Sequence, residues 1–362
     1  MKYSCLLKEI QPLNQDAMQL AQRYQDSLVK PPGSLGYLED ITIRLAGITG
    51  RVKNTLPRKL HVLFGADNGI YVEGVASAPQ NFTNLLMTYY GNTQNCAINL
   101  LCKQAKADLR LLDMGIIGPV ESSNVLNCKL MQGSDNFAVT AAMPLAIAER
   151  AVEIGFEQAK YAYDQGYQLI GSGEVGIGNT SSSSACMMAA LGLTAEEAVG
   201  RGAGLSDAAY AHKKRILTAA VQLHQPDKDN YLDILCKVGG LDLAALTGLF
   251  LGAAYYRLPV IVDGFISLTG AVLAAKVAPN AREYMFPSHA SAEPGFLKGT
   301  AFLGLQPMLQ LNMRLGEGSG CPLAMQLIDD ALLIINEMLT FDNSLLNEDD
   351  YKKNLGSETK KD

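Results

Sequence analysis

Apolar and polar positions alternate along the chain in two rhythms, short apolar runs and longer amphipathic stretches. Asp16 to Val29 keeps its apolar residues on one helical face and stops at Lys30-Pro31-Pro32-Gly33-Ser34-Leu35-Gly36, a strong breaker. Ser34 is a candidate cap for a helix over Tyr37 to Gly47, since its hydroxyl can accept from an N–H of the first turn. Leu60 to Gly65, Ala107 to Asp113, Tyr167 to Glu174 and Leu258 to Gly264 are of strand length. Between and after them the pattern predicts helices over Phe82 to Lys106, Pro144 to Tyr167, Thr180 to Leu191, Thr194 to Val199, Asp207 to Leu223, Tyr231 to Gly239, Leu243 to Tyr256 and Pro322 to Met338. Residues 116–140 read as loop. Two of the strands end in an Asp and a turn, Asp67-Asn68-Gly69 and Asp113-Met114-Gly115. A strand, an Asp-turn and a helical crossover, repeated, predict an α/β fold with a parallel sheet and polar residues at the C-terminal ends of its strands.

The helical N-terminal part and the last apolar helix are candidates for a small helical domain. The boundaries are residues 1–55 plus about 325–345 for that domain and 56–324 for the α/β domain. Residues 346–362, with Glu348-Asp349-Asp350, are expected to form a disordered tail.

Composition narrows the function classes. The 362 residues are 48% hydrophobic and 18% charged, which suits a compact soluble protein of one large or two smaller domains. A net charge of -6 argues against a nucleic-acid partner. Seven scattered cysteines without a Cys-x-x-Cys pair predict reduced thiols, no disulfide framework and no zinc site. The uncharged run Leu243 to Tyr256, closed by Asp242 and Arg257, falls short of the ~20 residues that a membrane span needs. The start of the chain, with Lys2, Lys8 and Glu9, is no secretory signal. A cytoplasmic protein without a membrane partner is expected.

Two Gly-rich stretches carry candidate chemistry. In Arg314-Leu-Gly-Glu-Gly-Ser-Gly-Cys321, a lone acid, Glu317, stands between Gly316 and Gly318 and between two apolar segments. Desolvation there would raise its pKa and suit it to general-base work. The plainer reading is an acid at a helix N-terminus, complementing the dipole. In Gly171-Ser-Gly-Glu-Val-Gly-Ile-Gly-Asn-Thr-Ser-Ser-Ser-Ser184, glycines follow a strand and hydroxyls open a helix. That pattern makes either an anion cradle or a capped tight turn, and it is neither a dinucleotide fingerprint nor a Walker loop. Glu174 within it is a second candidate carboxylate, and paired acids invite glycosyl chemistry. Lys213-Lys214 can reach a phosphate or form a solvated helical face. His289, flanked by Ser288 and Ser291, can bind an anion or be structural. His61, His212 and His224 share no metal spacing.

These stretches stand in order with Lys30-Pro-Pro-Gly-Ser-Leu-Gly36, Asp67-Asn-Gly-Ile…Glu73-Gly-Val75…Pro79, Val238-Gly-Gly-Leu-Asp242, Val262-Asp-Gly-Phe265 and Pro287-Ser-His-Ala-Ser-Ala-Glu293. Together, over residues 25–338, they resemble the nicotinate-nucleotide:dimethylbenzimidazole phosphoribosyltransferases. The resemblance implies a Rossmann-like parallel sheet domain, a small helical domain built from both termini, and a dimer. It implies transfer of ribose 5-phosphate from nicotinate mononucleotide to an aromatic acceptor, giving an α-riboside for the cobamide nucleotide loop. Glu317 matches the catalytic base and Glu174 a residue beside acceptor and ribose. Gly176, Gly178, Asn179, Thr180, Lys213, Ser291, Gly316 and Gly318 match the phosphate and ribose site. Ala78, Pro79, Phe82, Leu86 and Val175 match the acceptor pocket. No cofactor and no metal, Mg²⁺ included, is implied.

This chain departs from the family pattern in two places. Asn68 stands where Asp-His-Gly is usual, and Ala78 and Leu86 stand where better-known members carry Ser and Gln. The more apolar pocket resembles a branch that activates phenol and p-cresol as a heterodimer of two similar chains. Homodimer and heterodimer are both open, and the alternative to an active enzyme is a non-catalytic partner subunit.

Overall fold

The computed structural model describes residues 3–346, so the expected tail, Leu346 apart, lies outside the described residues. The chain divides into two compact units, residues 3–11 with 58–324 and residues 12–57 with 325–346. The first residues therefore leave the helical domain that the sequence reading gives them. The Tyr3 hydroxyl lies 2.9 Å from that of Tyr231, and its ring packs 5.9 Å from Phe156. The carbonyls of Ile10 and Gln11 accept from Asn280 Nδ2 and the Tyr284 hydroxyl. These contacts tie the segment to the larger unit.

In that unit β1 (Lys59–Ala66), β2 (Ala107–Gly115), β3 (Val125–Asn127), β4 (Leu169–Val175), β5 (Val260–Val262) and β6 (Met285–Pro287) form one sheet. Every pairing is parallel, and the order is β3-β2-β1-β4-β5-β6. All residues of β1 and β4 are buried. A parallel strand covered by helices on both faces reads as a continuous apolar run, which is why these strands show in the sequence. The three-residue β3 and β6 do not, because so short a strand displays no period.

The helices Leu145–Asp164 and Leu241–Tyr255 cover the sheet face to face, through glycine. A Cβ on Gly248 would come 1.8 Å from the Val152 carbonyl oxygen, and one on Gly155 1.8 Å from that of Ala245. Two expectations need correction. The single helix over Phe82 to Lys106 is two, Phe82–Asn92 and Ala97–Gln104, because Thr93 turns extended and ends the first. Ser34 caps nothing: Gly36 occupies the N-cap of the helix Tyr37–Thr49, and no side chain caps it.

In the smaller unit the helices Gln15–Asp26 and Tyr37–Thr49 flank the Lys30–Gly36 breaker. Lys30 forms a buried ion pair with Glu39 at 2.8 Å, and the same carboxylate accepts from the Leu35 N–H. That motif is thus a structural clamp. No helix among the described residues is long and apolar enough to cross a membrane.

Candidate active site

The connections leave β1 for β2 on one side and reach β4 on the other, so strand order reverses between β1 and β4. In open α/β sheets the crevice beyond the carboxyl ends of such strands is where ligands sit, because the two following loops diverge there. Here that crevice is a cavity of about 660 Å³.

The turn after β4 forms one wall. Gly176, Gly178, Asn179 and Thr180 line the cavity, the last two opening the helix Asn179–Leu191. Gly176 lies so close to the end of β1 that a Cβ would come 2.2 Å from the Ala66 carbonyl oxygen, and Gly178 has φ +97°. Only glycine meets both demands. A helix N-terminus at a cavity wall favours an anion. Behind it Lys213 is fully buried, and its Nζ donates to Thr180 Oγ1 at 2.9 Å. Burial pulls its ammonium down to about 8, against the Glu293 carboxylate, which raises it. The solvated-face reading therefore fails for Lys213. Lys213, Pro79 and Gly318 do not themselves line the cavity, whereas Ser291 and Gly316 do. Ala78, Phe82, Leu86 and Val175 form its apolar side.

Glu174 is the next-to-last residue of β4 and is buried. Asn179 Nδ2 donates both to Glu174 Oε2 and to Asp242 Oδ2, the latter at 3.0 Å. Burial first, then the Asp242 charge, pushes the Glu174 carboxyl up to about 8, and burial pushes Asp242 to about 6. Burial therefore favours the protonated form of Glu174. Asn68 accepts from Ser182 Oγ at 2.6 Å and is wholly buried.

Glu317 is no helix-capping acid. The helix begins at Gly320, and Gly316, Glu317 and Gly318 all have left-handed φ, +84°, +64° and +77°. Such a run is rare, and for the non-glycine residue it needs support from its surroundings. Asp263, which follows β5, supplies part of it. Its Oδ1 accepts from the Gly320 N–H at 2.7 Å, and the Gly264 and Gly318 N–H groups oppose the rise in its pKa. Burial raises Asp263 to about 7. Nor is Glu317 a lone acid, since the charges of Asp263 and Glu317 are both felt at Glu174. Burial raises the Glu317 pKa, opposed by the nearby Tyr90 hydroxyl and Ile98 N–H. Tyr90 stays outside hydrogen-bonding geometry, so Tyr90 Oη and Glu317 Oε2 both stand without a partner.

His289 also lines the cavity, with Nδ1 3.0 Å from Ser288 Oγ and 3.7 Å from Asp263 Oδ1. The sequence reading assigns no role to Asp242, Asp263, Tyr90 or His61. Asp263 had a signal available, because Val262-Asp263-Gly264 again sets an Asp and a Gly after a strand, one residue closer together than in Asp67-Asn68-Gly69 and Asp113-Met114-Gly115.

The family model described as Phosphoribosyltransferase matches residues 10–345. The nicotinate-nucleotide–dimethylbenzimidazole phosphoribosyltransferase of Clostridium perfringens is 44% identical over 348 residues, 95% of this chain and 96% of that one. This chain belongs to that phosphoribosyltransferase family. The Clostridium tetani enzyme of the same name is 41% identical over 92% of each chain. The crystal structure of CobT from Thermus thermophilus superposes with a TM-score of 0.87 at 36% identity, covering 92% of this chain and 99% of that one. In this phosphoribosyltransferase, then, two acids of unlike environment, a glycine turn backed by a buried lysine, and an apolar wall share one cavity.

Proposed function

We propose that this phosphoribosyltransferase moves ribose 5-phosphate from nicotinate mononucleotide to an aromatic acceptor and releases nicotinate, and that the acceptor is a phenol or p-cresol in preference to a benzimidazole. The observation that carries the reading is Glu317, buried at the cavity wall with Oε2 unpartnered, beside the Gly176–Thr180 turn. The relatives' names supply the donor, and the turn with Lys213 behind Thr180 suits its phosphate.

The acceptor's oxygen or ring nitrogen attacks C1′ from the face opposite the pyridinium. The C1′–N bond breaks, and its electron pair goes to the ring nitrogen, so a cationic pyridinium leaves as neutral-ring nicotinate. The acceptor's proton passes to Glu317, whose raised pKa makes it a better base than an ordinary carboxylate. Glu174, whose burial favours the protonated carboxyl, is placed to offer a hydrogen bond in place of a second negative charge. Ala78 and Leu86 give the acceptor an apolar bed with no hydrogen-bonding group, which fits a phenol ring. The chain acts as a homodimer or with a similar chain, in the cytoplasm, where its seven free thiols stay reduced.

The test offers the purified chain nicotinate mononucleotide with phenol, p-cresol or 5,6-dimethylbenzimidazole and identifies the riboside phosphate by mass. Turnover is expected, and Glu317→Gln should lower kcat by about 10²-fold or more. Undiminished turnover in that variant would overturn the proposal. Activity that needs an added similar chain, and survives Glu317→Gln in this one, would favour the non-catalytic partner reading.

A further inference from the structure

Beneath the Glu317 turn, outside the cavity, lies the imidazole of His61. It is the polar member of an otherwise apolar stretch of β1, with Leu60, Val62, Leu63 and Phe64, and it is fully buried. Its Nε2 lies 3.2 Å from the Glu317 carbonyl oxygen. Burial pulls its pKa down to about 4, so the ring is neutral at working pH. A neutral ring that serves a carbonyl must carry its hydrogen on Nε2 and donate. Nδ1 is then a bare acceptor, and it has no partner. A leucine or valine would fill this place without the cost of a buried, unpartnered Nδ1, so packing alone does not account for a histidine here.

The contact is also tight. A Cβ on Gly318 would come 2.3 Å from His61 Cε1, and one on Gly173 would come 2.5 Å from Nε2 and 2.7 Å from the Glu317 carbonyl oxygen. The turn rests directly on the ring. Asp263 grips its far end through the Gly320 N–H, 2.7 Å from Oδ1. His61 is the donor that meets its carbonyl side. Three left-handed residues in succession have little preference of their own for that shape. The His61 contact sets the 317–318 peptide plane, and the Ser319 N–H, 3.0 Å from the Gly316 carbonyl oxygen, holds the 316–317 plane; the two together set the direction of the Glu317 side chain.

We infer that His61 is a positioning residue for Glu317, holding the 316–318 turn through the Glu317 carbonyl so that the carboxylate faces the acceptor. This rests on the reading of Glu317 as the base. His61 touches neither substrate, and its removal leaves the nucleotide site intact.

The experiment compares His61→Leu, His61→Gln and Glu317→Gln in the full chain. Gln places an amide N–H near the position of Nε2, whereas Leu has no donor. Should His61→Leu fail to fold, His61→Phe takes its place, keeping a flat ring without the N–H. His61→Leu is expected to lower kcat by about 10–100-fold, with KM for nicotinate mononucleotide within about two-fold of wild type. His61→Gln should recover kcat to within about three-fold. Amide hydrogen exchange at Gly318 to Cys321 should speed up in the Leu protein, and the β4 amides should keep their protection. Unchanged kcat with unchanged exchange in the Leu protein, or a Gln protein as impaired as the Leu one, would overturn the inference. If Glu317→Gln keeps full turnover, the base assignment itself falls, and exchange alone then decides whether His61 holds the turn.

Discussion

At the scale of single residues, Glu174 and Glu317 belong to one buried group of acids yet have different surroundings. Glu174 shares Asn179 with Asp242, while Glu317 has a buried, unpartnered oxygen near the Tyr90 hydroxyl. Because burial raises the Glu317 pKa, kcat/KM should climb with pH along an acid limb that lies above the ordinary glutamate value of 4.5, and Glu317→Gln should abolish that limb. A pH–rate profile checks both points. The buried acids also set the pH dependence of stability. Glu174 titrates near 8 in the fold against 4.5 in the open chain, so the stability it contributes is present below about pH 4.5 and is lost as pH rises through about 8. Asp263, near 7, and Asp242, near 6, act in the same direction. His61 acts in the opposite one: its pKa falls from 6.5 to about 4, so its contribution is present above 6.5 and is lost toward 4. Calorimetry of the substrate-free protein should therefore show Tm falling between about pH 5 and 8, with a shallower slope in Glu174→Gln. An identical slope in that variant would remove Glu174 from the account. For the acceptor, Leu86→Gln should shift the kcat/KM ratio from phenol toward 5,6-dimethylbenzimidazole, and a ratio that does not move counts against the pocket argument. Glu317 and Glu174 were legible as single acids on glycine turns. Their mutual influence was not, because 143 positions separate them and only packing makes the spacing short.

At the scale of elements, close approach decides most. The helix Leu241–Tyr255 is apolar all round, so its sequence says that it is buried but not which side meets which neighbour. Gly248 and Gly155 answer that by letting the backbones of two helices touch. Gly248→Ala should destabilise by about 1–3 kcal/mol, read as a lower urea midpoint at unchanged slope. In the smaller unit, Lys30→Met leaves the Glu39 carboxylate buried without its ion pair and should cost about 3–5 kcal/mol, while adding Glu39→Leu should recover part of the loss. The Lys30–Gly36 stretch was legible as a breaker. Its role as a clamp was not, because the partner lies one helical turn into the next element.

At the scale of the whole molecule, the order β3-β2-β1-β4-β5-β6 places the ends of β4, β5 and β6 and the segment that follows β1 around one cavity. Nicotinate mononucleotide at about 100 times its Kd should then stabilise wild type and Glu317→Gln alike, by about 2.7 kcal/mol, since the variant alters the base and not the nucleotide's seat. A shift in Tm on adding the donor alone reads this directly. The amino-acid order by itself determined the alternation of strands and helices, the Gly-rich turns, the two candidate acids and the family. These are local signals, carried by residues within a turn or a strand of one another. Only the tertiary structure decided the strand order, the raised pKa of Glu174, and the hold that His61 and Asp263 have on the Glu317 turn. Desolvation and backbone support arise between residues that the chain keeps far apart, and no local pattern records which of them will meet.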